Sequence, residues 1–191
     1  MTYPQAGDLI ATHSHGLVGR LIRLGEKISA LGWRRTIWRA VTHQDDAPSD
    51  PWYFNHIAVY VGHGYVIEAL AAGLTHSPLA KYREFRVLPL DSVLWLPTSL
   101  ERSNALTFAA EQLRRHDKYG WLSIVSIVAE ILTPTRLDIS WDGALICSAF
   151  GAQTWEHAGV TLPTKSSLTI KPSDLVALAA GGAHGLTPTV T

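Results

Sequence analysis

Cysteine occurs once in the 191 residues, at Cys147, within the run Leu145-Ile146-Cys147-Ser148-Ala149-Phe150. It has no second cysteine for an internal disulfide, so it is either a small core residue or a nucleophile. Two residues far upstream bear on the choice. His56 opens the apolar run Ile57-Ala58-Val59-Tyr60-Val61, and Glu68 sits between Ile67 and Ala69 in the next apolar run. A thiol, an imidazole and a carboxylate are the parts of thiol-based nucleophilic chemistry. A free thiol titrates near about 8.5, so only a few per cent is thiolate at neutral pH. A neighbouring imidazolium stabilises the thiolate and can later protonate a leaving group. A carboxylate fixes the ring tautomer and supports its positive charge. Each residue also has a purely structural reading. A buried free cysteine packs like a small hydrophobe, and a histidine can cap a strand. Glu68 is the exception, because a carboxylate is almost never fully buried without a partner.

The elements that must position these groups begin with a hairpin. Ile57 to Gly62 and Tyr65 to Leu70 read as two strands around Gly62-His63-Gly64. A three-residue loop with a left-handed Gly64 sets Val61 opposite Tyr65, Ala58 opposite Glu68 and His56 opposite Leu70. Side chains alternate faces, so His56, Ala58 and Glu68 share one face. His56 and Glu68 become diagonal neighbours, roughly 7–8 Å apart at the backbone. The other face collects Ile57, Val59, Val61, Tyr65, Ile67 and Ala69. A two-residue loop would slip the register by one and separate Glu68 from His56. The apolar pattern favours the register in which the carboxylate can orient the ring.

Around the hairpin, Gly7 to Thr12 reads as a short strand. Leu17 to Leu31 reads as an amphipathic helix that Gly32 stops. Trp33 to Tyr53 is a polar and aromatic insertion. It suits either a lid or binding loop, or a helix extension followed by a solvated turn. Phe85 to Leu90 and Val93 to Leu96 read as further strands. Thr98 and Glu101 form a capping box for a helix that carries Leu106, Ala109, Ala110 and Leu113 and ends near Asp117. Trp121 to Leu132 reads as a buried helix, and residues 138–143 as a loop. A helix follows around Cys147, ending at Gly159. With Asp142 as its cap, Cys147 lies about a turn inside; with a loop through Leu145, it lies in the first turn. Pro172-Ser173-Asp174 starts a last short helix. The order predicts an α+β fold with an antiparallel sheet packed against helices, in one domain over 1–180 with a mobile tail at 181–191.

Composition narrows the classes. With 47% hydrophobic and 17% charged residues the chain can build a core and is not disordered. Lysine plus arginine number 16 and aspartate plus glutamate 16, so no global field points to nucleic acid. The N-terminal run has no basic region followed by an apolar stretch, so no secretory signal is expected. The most apolar run, Trp121 to Leu132, falls short of the about 20 residues that a spanning helix needs. A soluble protein with its thiol in a reducing compartment is the expectation.

These residues resemble the circularly permuted NlpC-type, papain-like cysteine hydrolases. The matching segments are Gly7-Asp8-Leu9-Ile10, Leu21-Ile22-Arg23, Asn55-His56-Ile57-Ala58-Val59-Tyr60-Val61-Gly62, Val66-Ile67-Glu68-Ala69, Tyr119-Gly120-Trp121 and Cys147-Ser148. They span most of residues 7–150, and the histidine precedes the cysteine as in the permuted branch. The resemblance implies a permuted papain-like fold and an acyl-enzyme mechanism without a cofactor. It assigns Cys147 as nucleophile, His56 as base, Glu68 as the orienting residue and Tyr119 as an oxyanion or substrate contact. It implies cleavage of amide bonds in peptidoglycan stem peptides, or action on acyl or thioester groups. It also implies a bacterial or phage setting, and hence a cytoplasmic, released or virion-associated protein. Leu145-Ile146 departs from the aspartate that precedes the cysteine in unpermuted relatives.

Three rivals remain open on sequence. The pair His13 and His15 could ligate a metal from one strand face, but no His-Glu-x-x-His is present and one cysteine cannot complete a structural zinc set. A serine hydrolase lacks its Gly-x-Ser-x-Gly elbow. A non-catalytic binding module could keep the same fold. The aromatic residues Trp33, Trp38, Trp52, Tyr53 and Phe54 suit either a sugar-peptide cleft or an acyl chain.

Overall fold

A computed structural model describes residues 3–13, 20, 23–24, 27–28, 31–41, 46–48, 50, 52–70, 73–93, 97–115, 147–160, 162 and 170–181. The expected helix at 121–132, the loop at 138–143, Tyr119, His15 and the tail at 182–191 lie outside them. The fold is α+β. Five strands, β1 (Leu9–Thr12), β2 (His56–Gly62), β3 (Tyr65–Leu70), β4 (Gly73–Pro78) and β5 (Phe85–Leu88), form one sheet in the order β4-β3-β2-β1-β5. Every neighbouring pair is antiparallel. The described α-helices are α1 (Trp33–Val41), α2 (Ser99–Arg115), α3 (Cys147–His157) and α4 (Pro172–Ala179).

The sheet has two unequal faces because its central strands alternate. Leu9, Ala11, Ile57, Val59, Ile67, Ala69 and Leu88 form the main core with Ala105 and Ala109 of α2, Phe150 and Trp155 of α3, and Leu175 of α4. Ile10, Ala58 and Val66 point the other way, into a smaller cluster with Leu79, Tyr60 and Tyr82. Small residues let α3 lie close to the sheet. A β-carbon on Gly151 would stand 2.8 Å from Cγ2 of Ile57 and 3.3 Å from Cδ1 of Leu9. Only glycine fits this approach, and it fixes the helix that begins at Cys147.

The hairpin reaches the expected alignment by a different route. Ala58 pairs with Glu68, Val59 with Ile67 and Tyr60 with Val66, but it is Gly62, not Val61, that faces Tyr65. The loop is therefore the two residues His63 and Gly64, at φ 51° and 78°. Both are left-handed, as the favoured two-residue hairpin turn requires. That turn alone would slip the register by one. Val61 absorbs the slip as a bulge, so His56, Ala58 and Glu68 still share a face. Tyr65 departs from the expected core position. It is 42% exposed and stacks on His76 at 4.7 Å.

Other expectations meet mixed outcomes. The described residues Arg20, Arg23, Leu24, Lys27, Ile28 and Leu31 are helical, and Gly32 follows at φ 78°. Within the insertion Trp33–Val41 form the helix α1 and Trp52 is buried; residues 42–45, 49 and 51 lie outside the described residues. Thr98 and Glu101 cap α2 as expected, with Glu101 N donating to Thr98 Oγ1 at 3.2 Å and Thr98 N to the Glu101 carboxylate. The buried face of α2 uses Ala105 and Ala109, whereas Ala110 is exposed. A 3-10 turn at Leu90–Ser92 leads into a turn at Val93, and residues 94–96 of the expected strand lie outside the described residues. The expected strand Phe85 to Leu90 stops at Leu88, ahead of Pro89. The alternation of apolar residues does not show β4, because it is an edge strand with polar residues and a terminal proline.

Candidate active site

Glu68 is buried at 0% exposure in the middle of β3. Such a carboxylate must be compensated, and it is. His56 Nε2, at the start of β2, lies 2.9 Å from Glu68 Oε2. Lys81 Nζ donates to Oε1 and the Tyr82 hydroxyl to Oε2. Lys81 also donates to Ser77 Oγ at 3.2 Å. Burial alone would raise the Glu68 pKa. The hydrogen bonds from His56, Lys81, Ser77 and Tyr82 outweigh it and bring the value down to about 2. Burial and the Glu68 carboxylate together push the Tyr82 hydroxyl upward, so it stays a neutral donor.

The other nitrogen of His56 is left for Cys147. With Nε2 committed to the ionised Glu68, Nδ1 is the ring atom available to the thiol, which lies close enough to interact electrostatically with the ring. The amides of Ile57 and Ser148 also serve the sulfur. Cys147 lies at the N-terminal end of the described part of α3, and part of its surface is open to solvent.

Charge follows from this geometry. Burial opposes ionisation of the thiol, but the adjacent imidazolium, its hydrogen bond and the two amides lower the Cys147 pKa overall. Burial likewise opposes the imidazolium, and the thiolate and Glu68 overcome it, raising His56 to about 9. Each group's charged form thus favours the charged form of the other, with Lys81 balancing the Glu68 charge. Such a pair can attack an electrophilic carbon and return a proton to the departing group.

The structure thus places Cys147 beside the His56–Glu68 pair, while Tyr119 falls outside the described residues. Sequence reasoning missed Lys81, Tyr82 and Ser77. A buried Glu68 signals that donors are needed, but their identity depends on β4 and on the 3-10 turn Leu79–Lys81 that follows it.

His13 is used structurally. Its Nδ1 lies 3.0 Å from Tyr53 O and its Nε2 2.9 Å from Arg23 Nη1, so both ring nitrogens are engaged. Among the described residues, no group of three His, Cys, Asp or Glu side chains is placed to hold a metal. Likewise, no helix among them is long and apolar enough to cross a membrane.

No family model, no curated protein and no solved structure matches this chain.

Proposed function

We propose that the chain is a cysteine hydrolase of the permuted NlpC-type, papain-like plan that cleaves an amide bond in peptidoglycan stem peptides. The observation that carries this reading is the hydrogen bond from the His56 ring to the buried Glu68 carboxylate, with the Cys147 thiol beside the same ring. The thiolate attacks the carbonyl carbon, and the His56 imidazolium gives its proton to the amine as the C–N bond breaks. His56 then takes a proton from water, whose oxygen attacks the resulting thioester. The carboxylic acid leaves and the thiol returns. Glu68 holds the ring and stabilises its charge throughout. Tyr119 remains the proposed oxyanion or substrate contact.

A second reading, an acyl hydrolase or acyltransferase acting on lipid esters or thioesters, uses the same three groups. The outward apolar residues of α1, with Trp33 55% and Trp38 59% exposed, favour it. Incubation with purified peptidoglycan and, in parallel, with fluorogenic acyl esters separates the two. New amino termini, lost in Cys147→Ala, support the amidase; fatty-acid release supports the acyl hydrolase. Neither product from the wild-type protein would count against both.

A further inference from the structure

We propose that α1 docks the protein on an anionic lipid surface. An ordinary surface helix turns its apolar stripe toward the core. In α1 the arrangement is reversed. At about 100° per residue, Trp33, Ile37, Val41 and Trp38 fall within one arc of about 140°. They are 55%, 56%, 71% and 59% exposed. The residue facing inward is Thr36, 7% exposed, whose hydroxyl donates to Gly32 O at 3.0 Å.

The helix is fixed to the body by its polar edge. Arg39 Nη2 lies 3.5 Å from Asp50 Oδ2, and its guanidinium stands 5.7 Å from the Trp52 ring centroid. Trp52 Nε1 donates to Asp46 at 3.1 Å, and Asp46 pairs with Lys27 at 2.6 Å. The outward stripe is therefore a held feature, larger than the single exposed apolar residues that every surface carries.

Charge and size select the occupant. Arg34 lies within the apolar arc and Arg35 beside it, both exposed. Among the described residues neither forms an ion pair. The chain's formal net charge is +0, so any preference for anions comes from this local arrangement. Tryptophan favours the lipid–water boundary, and arginine beside it meets phosphate headgroups. A second copy docked through the same face would bring both pairs of arginines into one interface. Nine residues of helix offer far less than the about 800 Å² per partner of a stable protein interface.

The test is flotation of the full-length protein with vesicles of phosphatidylcholine alone and of phosphatidylcholine with phosphatidylglycerol. The variants are Ile37→Ser/Val41→Ser and Arg34→Gln/Arg35→Gln. All four sites are exposed, and unchanged melting temperatures verify that the variants fold. The wild type should float with the anionic vesicles. The serine pair should lower partitioning about ten-fold or more. The glutamine pair should lower it about ten-fold, leaving little difference between the two vesicle types. Absence of flotation overturns the proposal, as does equal binding to both vesicle types by the wild type, or flotation that either variant pair leaves unchanged. A wild type that sediments as a dimer without lipid, and becomes monomeric with the serine pair, also overturns it in favour of a second copy as the occupant.

Discussion

His56 Nε2 lies 2.9 Å from Glu68 Oε2, on neighbouring strands whose register a bulge at Val61 preserves. This contact commits one ring nitrogen to the carboxylate and leaves the other facing Cys147. The geometry of one hairpin therefore decides which proton the ring can move.

Glu68→Gln keeps the size of the side chain and removes its charge. Turnover on the true substrate should fall on the order of 10²–10⁴-fold, as when a triad carboxylate becomes an amide. The loss should fall mainly on kcat, because ring orientation matters most when the ring becomes cationic. Turnover within a factor of two of wild type would remove Glu68 from the relay.

The same carboxylate sets an acid limb in stability. Its pKa is lowered from 4.5 to about 2, so its contribution is present above about 4.5 and is lost as pH falls toward 2. His56 has the opposite sign. Raised from 6.5 to about 9, it stabilises fully below 6.5 and loses that contribution as pH rises through about 9. Cys147, lowered from 9.0, has the opposite sign to His56: its contribution is full above 9.0 and is lost as pH falls, so it works against the His56 trend. Melting temperatures should therefore fall steeply below about pH 4.5 in the wild type and more gently in Glu68→Gln. Identical acid limbs would contradict the account.

Lys81 neutralises the buried charge from a half-exposed position. Lys81→Met should raise the Glu68 pKa and move the acid limb to higher pH, while Lys81→Arg should largely restore it. Turnover in Lys81→Met should drop less than in Glu68→Gln, because Lys81 acts through Glu68. A Lys81→Met profile that overlays the wild type would show that the ammonium is not needed there.

Gly151→Ala tests the seat of the helix that carries Cys147. Its β-carbon would stand 2.8 Å from Ile57 Cγ2, so α3 must shift or Ile57 must move. A loss of about 1–3 kcal/mol is expected, with slower alkylation of Cys147 in the folded protein. Wild-type stability and reactivity together would mean that the helix does not lie so close.

Much of the fold was legible because alternation carries it. The face shared by His56, Ala58 and Glu68, the cap at Thr98, the left-handed Gly64 and the strand at Leu9 all follow from local rules. The bulge was not legible, since His63 in a left-handed turn has only a weak signature beside two glycines. Nor was β4, because an edge strand with one exposed face and polar residues lacks an apolar pattern. Missing β4 hid Ser77 and the turn bearing Lys81 and Tyr82, and with them three of the four donors to Glu68. The outward stripe of α1 was equally hidden. Its periodicity marks a helix with one apolar side, but not which side the rest of the chain covers.

The most direct test is the rate of iodoacetamide alkylation at Cys147 in the folded protein, followed across pH in wild type and His56→Gln. The wild-type rate should rise through a midpoint below the ordinary thiol value of 9.0 and be well established at neutral pH. His56→Gln should return the midpoint toward that value and slow the neutral reaction about ten-fold or more. A thiol that stays inert until the protein unfolds, or that reacts alike in both proteins, would contradict the account.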